Sequence, residues 1–293
     1  MTKRRSFDPA EIKRIALKAM FSDDDLMERL VLKGGNLLDV VFEISSRASI
    51  DLDFSIDGEF ERPEWLLERV RTALETGFLE IGVIAFDVNV VEAPPILSAE
   101  LVDFWGGYKV DFKIIEKELA EEHKSDPATM RRWAIAIGER GSTKFAIDIS
   151  KHEYCDDKQP FDIDYLRIFT YSPEMVVCEK LRAICQQMPE YAVMVKKHKA
   201  ARARDFVDIF DVCRRRNVAF DSERMKRILP KVFAAKRVPL RLLGTLADFR
   251  DFHRQDFTSV QATVKPDVIL GDFDFYFDFV LDNLGSLKAL WDK

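Results

Sequence analysis

No apolar run in this chain of 293 residues approaches the roughly 20 residues that a helical membrane span requires. The Met-Thr-Lys-Arg-Arg start lacks the apolar segment of a signal peptide, so the expected address is the cytoplasm. Cysteine is scarce. Cys155, Cys178, Cys185 and Cys213 form no C-x-x-C pair and have no histidine at ligand spacing, which argues against zinc and disulfide chemistry. Cys178 and Cys185, seven apart on one helical face, belong in a core instead. There is no excess of positive charge either. A net charge of −6 does not suit non-specific coating of nucleic acid, so any RNA site must be regional. The chain has no Walker loop, because no glycine pair at the required spacing is followed by Lys and Ser or Thr. It also has no internal repeat and no low-complexity tract.

What is present describes a globular protein: 47% hydrophobic and 33% charged residues set it apart from a disordered chain. At 293 residues it exceeds one typical domain, and two are expected. The organising stretch is residues 32–54, LKGGNLLDVVFEISSRASIDLDF. It reads as a glycine turn, an apolar helix of about two to three turns, and a strand carrying Asp51 and Asp53. Strand alternation puts Asp51 and Asp53 on one face and Ile50, Leu52 and Phe54 on the other, toward a core. The two carboxylates would stand about 7 Å apart, close enough to converge on one hydrated divalent ion or on a pair. In Lys33-Gly34-Gly35-Asn36 the glycines permit positive φ and close approach to a ligand. The helix that follows offers free N–H groups to an anion such as a triphosphate.

Two sets of residues resemble the AbiEii-type nucleotidyltransferase family of the DNA polymerase β-like superfamily. The first is the glycine turn with Arg47-Ala48-Ser49-Ile50-Asp51-Leu52-Asp53-Phe54. The second is Glu179-Lys180-Leu181-Arg182-Ala183 followed by Arg202-Ala203-Arg204-Asp205-Phe206-Val207-Asp208-Ile209. The resemblance implies an α+β fold, with a nucleotidyltransferase-like mixed sheet flanked by helices over residues 1–170. A helical domain over residues 171–293 would contribute Lys180 and Asp205 to the cleft.

It also implies a site. Asp51, Asp53 and a third carboxylate would hold Mg²⁺ or Mn²⁺, and an NTP would be the substrate. Lys33, Gly34, Gly35, Asn36, Ser49, Lys180 and Asp208 would bind the nucleotide, and Arg202 and Arg204 would contact nucleic-acid phosphates. At Asn36 the family more often has Thr or Ser. An amide still donates to a phosphate, so this departure bears on nucleotide preference more than on activity. The third carboxylate is assigned to Asp148, in the apolar strand Lys144-Phe145-Ala146-Ile147-Asp148-Ile149-Ser150, with Asp111 as the rival. Asp148 also serves as the candidate base.

The remaining expectations follow the chain. Asp8-Pro9 opens a helix with Ile12, Ile15, Ala16 and Ala19 inward, and a short helix follows Ser22. Arg62-Pro63 opens an amphipathic helix ending at Gly77. Residues 84–91 and 108–115 alternate as neighbouring strands, and residues 116–141 form a charged surface excursion. Ser172-Pro173 starts the helix of Lys180. Phe273, Phe275, Phe277 and Phe279 alternate with a strand period, but the leucines that follow continue at helical spacing, so a helix is expected.

The expected function is transfer of NMP from an NTP to an acceptor hydroxyl, the expected acceptor being RNA such as the tRNA 3′ end. The family adds a toxin role in type IV toxin–antitoxin or phage-defence systems, with a winged-helix antitoxin encoded nearby. The alternative is a nucleotide-binding regulatory module that transfers nothing. Retention of Asp51, Asp53, Asp148 and Lys180 together speaks against that.

Overall fold

The computed structural model describes residues 7–44, 52–60, 62–136, 141–195, 199–265 and 268–292. Asp51 and Ser49 lie outside the described residues, as do residues 196–198 of the basic segment. Helix α1 (Pro9–Phe21) starts where Asp8 accepts from the Ala10 N–H at 2.9 Å, with Pro9 in the first helical position. The short α2 (Asp24–Arg29), capped by Asp23, runs straight into β1 (Leu30–Lys33). α3 (Gly34–Asn36) then continues as a π turn over Leu37–Val41. β2 (Leu52–Ile56), α4 (Pro63–Leu79), β3 (Val83–Glu92) and β4 (Gly107–Glu116) follow. The charged excursion holds α5 (Lys117–Glu122) and α6 (Pro127–Trp133), and β5 (Phe145–Ser150), β6 (Gln159–Ile163) and β7 (Leu166–Thr170) close the sheet.

The seven strands form one mixed sheet in the order β3-β4-β5-β2-β1-β7-β6. β2 runs parallel to β5 and antiparallel to β1, and β1 runs parallel to β7. Leu52, Phe54, Ile147, Ile149, Val110 and Phe112 share one face and are all buried. Helices α1 and α4 cover that face, with Phe21 on Phe54 at 5.7 Å and Phe78 on Phe112 at 5.6 Å between ring centres. The polar alternates point to the opposite face, where the site lies.

α4 does not end at Gly77 but runs on to Leu79. A β-carbon on residue 77 would stand 2.7 Å from that of Ala19, so this glycine lets α1 and α4 approach rather than capping a helix. The strand β1 and the β6–β7 hairpin were not expected from the sequence. β1 is buried along its whole length, which removes the alternation that would mark it. The hairpin turns at Asp164 and Tyr165, both at positive φ, without the glycine or asparagine that usually signals such a turn.

Immediately after β7, Ser172 caps α7 (Pro173–Cys185) by accepting from the Met175 N–H. Because β7 neighbours β1, this hand-over carries α7 back past the end of β1. α8 (Pro189–Val195), α9 (Ala203–Arg216) and α10 (Glu223–Ala235) follow, and α9 and α10 both pack on α7. A 3₁₀ segment (Leu240–Phe249), α11 (Arg250–Arg254), α12 (Phe257–Gln261), α13 (Phe273–Leu284) and a last 3₁₀ segment (Gly285–Leu290) complete the helical region. The alternating phenylalanines are helical. Phe273 and Phe277 pack on Phe206 in the core, at 5.6 and 4.9 Å, while Phe275 and Phe279 flank Phe210, each at 5.0 Å.

Candidate active site

One row of side chains crosses the polar face of the sheet. Lys33 on β1 is the register partner of Asp53 on β2, Asp53 is the partner of Asp148 on β5, and Asp148 is opposite Lys109 on β4. Neighbouring strands lie about 5 Å apart, so the Asp53 and Asp148 carboxylates are lateral neighbours on one face. Both border a cleft between the sheet and the helical region. Asp111 shares their face but sits two residues along β4 from Lys109, where Lys144 binds it at 2.8 Å, away from the cleft wall.

The glycine turn is fixed to this row. Gly34 has φ +69°, and a β-carbon there would lie 2.3 Å from Asp53 Oδ2, so the bare backbone rests against the carboxylate. Gly34 and Gly35 both line the cleft. Asn36 is fully buried, so its side chain is no part of the cleft wall. Lys33 donates from Nζ to Ser150 Oγ at 3.0 Å and lies 3.5 Å from both Glu153 and Glu179. Burial works against its charge, but those carboxylates outweigh burial and hold its pKa above the ordinary value.

The opposite wall is helical. Lys180 on α7 is buried and donates to Asp205 Oδ1 at 3.0 Å and Asp208 Oδ2 at 2.6 Å, both on the first turns of α9. Burial again opposes the charge and the two carboxylates prevail, so its pKa is raised. Burial opposes ionisation of Asp205 too, yet Arg202 and Lys180 bring its pKa down to about 2. Arg202 Nε lies 2.7 Å from Asp205, and its own N–H donates to His253 Nδ1 at 3.2 Å. Lys180, Asp205, Arg202 and the exposed Arg204 border the cleft, whereas Asp208 is buried behind Lys180.

Several residues that shape the cleft escaped the sequence reading. The Glu153 side chain is only 4% exposed and receives Arg182 at 2.5 and 3.3 Å, with Lys33 and Lys236 each at 3.5 Å. These cations outweigh burial and keep its pKa below the ordinary carboxylate range. Ser150 was legible, being two residues beyond Asp148 on the same face. Glu179 and Arg182 stand within the lysine-helix signature, but spacing alone does not say that they turn toward Lys33. Glu153 and Lys236 carry no local signal, because only the folded chain brings them together.

As a donor set, Asp53 and Asp148 offer hard oxygen ligands on one face, open to the cleft. Among the described residues no group of three or more His, Cys, Asp or Glu side chains forms a metal cage. Mg²⁺ suits such a site, since it commonly takes one or two carboxylates and completes its shell with water and substrate phosphates.

The family model described as "Nucleotidyl transferase AbiEii toxin, Type IV TA system" matches residues 15–279. No curated protein matches the chain. Among solved structures, JHP933 from Helicobacter pylori is similar at 16% identity and a TM-score of 0.48, over 96% of this chain and 91% of that one. An antigenic nucleotidyltransferase-like protein from Paracoccidioides brasiliensis is similar at 11% identity and a TM-score of 0.38, over 89% of this chain and 97% of that one.

Proposed function

This chain belongs to the AbiEii family of nucleotidyl transferase toxins of type IV toxin–antitoxin systems, and from that premise we propose that it moves a nucleoside monophosphate from an NTP to an RNA hydroxyl, the tRNA 3′ end being the acceptor. The observation that carries this reading is the in-register pair Asp53 and Asp148 beside the Gly34 backbone. The turn at Gly34 and Gly35 and the ammonium of Lys33 receive the triphosphate. The acceptor oxygen attacks the α-phosphorus, the bond from phosphorus to the bridging oxygen breaks, and pyrophosphate leaves. Asp148 takes the proton of the attacking hydroxyl. Lys180, held by Asp205 and Asp208, sets positive charge at the wall where negative charge develops. Asp53 and Asp148, with Asp51, would hold the divalent ion, Mg²⁺ or Mn²⁺. When bound, that ion supplies charge neutralisation at the phosphates and lowers the pKa of the acceptor hydroxyl. A winged-helix antitoxin encoded alongside would restrain the activity, and phage defence is the setting such a toxin serves.

The test is incubation of the purified protein with labelled NTPs, Mg²⁺ and total RNA. Label is expected at RNA 3′ ends, and Asp53→Asn is expected to remove it together with toxicity in cells. If label reaches neither RNA nor protein, and the variant remains as toxic as the parent, the transferase reading fails.

A further inference from the structure

The cleft has two lobes, which meet at Lys33, Asp53, Ser150, Glu179 and Arg202. One, of about 530 Å³, is bordered by Gly34, Gly35, Lys180 and Arg204. The other, of about 480 Å³, passes Asp148 and reaches Trp105, Gly107, Arg182 and Lys236. We propose that this second lobe is the acceptor subsite, which seats the 3′-terminal nucleotide of a single-stranded RNA end with its base against Trp105 and its phosphate toward Lys236 and Arg182. The inference rests on the transferase reading and assigns one half of its site.

Direction comes first. In displacement at phosphorus the attacking and leaving oxygens lie roughly in line, on opposite sides of the reacting atom. With the triphosphate in the lobe of the glycine turn, the acceptor must approach from the other side of the carboxylate pair, where Asp148 borders the second lobe.

The lining then selects the class of acceptor. Trp105 is half-buried and braced by Tyr191 at 6.5 Å and by the Lys236 ammonium at 5.5 Å, so its indole is a fixed apolar wall. A base stacks on such a wall with little regard to its sequence. Gly107 keeps the neighbouring floor bare, because a β-carbon there would lie 2.2 Å from the Ile149 carbonyl oxygen. Charge completes the fit. Three cations, Lys33, Arg182 and Lys236, converge on the single carboxylate of Glu153, with Glu179 as the second acid near two of them. Arg182 and Lys236 line the lobe together with Asp148, and an acceptor phosphate would meet these two cations. Burial, opposed by Glu153 and reinforced by Arg182 and Lys33, brings the pKa of Lys236 down to about 8. A volume near 480 Å³ suits a ligand of nucleotide size.

The experiment compares Trp105→Ala and Trp105→Phe with the parent protein. It measures KM for NTP and for a short single-stranded oligoribonucleotide with a free 3′ hydroxyl, and the affinity of the same oligonucleotide labelled at its 5′ end. The alanine variant is expected to weaken the oligonucleotide about tenfold or more, the phenylalanine variant to retain most affinity, and NTP KM to stay unchanged in both. Should the alanine variant fail to fold, Trp105→Leu against Trp105→Phe makes the same comparison. Transfer with an unchanged acceptor KM in the alanine or leucine variant overturns the subsite and leaves the transferase reading standing. Oligonucleotide binding that depends on Trp105 without any transfer does the reverse. A raised NTP KM with unchanged acceptor KM, or label found on a protein hydroxyl instead of RNA, also overturns the assignment.

Discussion

The Asp53 carboxylate fills the space that a β-carbon on residue 34 would need, with Oδ2 only 2.3 Å from its ideal position. The same residue holds φ at +69°, where an L side chain costs about 1–2 kcal/mol before any clash. Two independent demands therefore fall on Gly34, one from the backbone and one from the acid. Gly58 meets only the first: its φ is +89°, but nothing lies within 4 Å of a β-carbon there. Gly34→Ala is expected to lower the melting temperature more than Gly58→Ala and to abolish nucleotidyl transfer, while Gly58→Ala keeps it. Equal stability losses with intact transfer in both variants would show that the contact with Asp53 is dispensable.

Asp53 and Asp148 repel one another across the strand pair, although Lys33 and Lys109 flank them in the row, and a cation bound between the two acids would relieve that repulsion. Removing one charge by Asp53→Asn or Asp148→Asn should leave thermal stability equal or higher in metal-free buffer. Transfer should fall at least about a hundredfold in each. Mg²⁺-dependent nucleotide affinity, read by calorimetry, should weaken in parallel. A lower melting temperature with unaltered nucleotide affinity would instead assign the pair a purely structural role.

Lys180 has a different balance, because it is buried and both of its partners are buried acids. Lys180→Met leaves two carboxylates without their shared cation, and breaking buried pairs in this way typically costs about 3–5 kcal/mol. Asp205 keeps Arg202, whereas Asp208 loses the ammonium that Oδ2 accepts. Adding Asp208→Asn to Lys180→Met should therefore recover part of the lost stability, a coupling of about 0.5–3 kcal/mol in denaturant melts. Strict additivity of the two substitutions would contradict this pairing.

Much of this arrangement was legible because local chemistry announced it. Asp8-Pro9 and Ser172-Pro173 each cap a helix as their spacing requires. The apolar alternation around Asp53 and Asp148 gave two strands whose acids face away from the core. What stayed hidden was long-range or unpatterned. β1 is buried on both faces, the hairpin turn uses Asp164 and Tyr165 at positive φ, and Gly77 serves a helix contact that looks like a helix end in sequence. Glu153 is the sharpest case. Its partners Lys33, Arg182 and Lys236 come from the sheet, α7 and the end of α10, and no window of sequence contains them all.

His253 ties this wall of the cleft to pH. It is fully buried between Phe206 at 5.3 Å and Phe252 at 5.0 Å, and its Nδ1 accepts the Arg202 N–H, which requires a neutral ring with the proton on Nε2. Burial brings its pKa down to about 4, with Asp205 raising it and Arg202 lowering it. An unfolded histidine titrates near 6.5. Between about pH 6.5 and pH 4 the unfolded chain therefore binds a proton that the folded chain refuses, so stability falls as pH falls through this window. The full loss is on the order of 3 kcal/mol. Asp211 acts in the opposite sense, since burial followed by Asp208 pushes its pKa up to about 6 and its protonation favours the folded state. The difference between variants separates the two. His253→Asn keeps an acceptor for Arg202 but does not titrate, so urea midpoints measured from pH 7 to pH 4 should decline less steeply than in the parent protein. Parallel declines in parent and variant would mean that the ring is protonated in the folded state and that its bond to Arg202 is not formed as described.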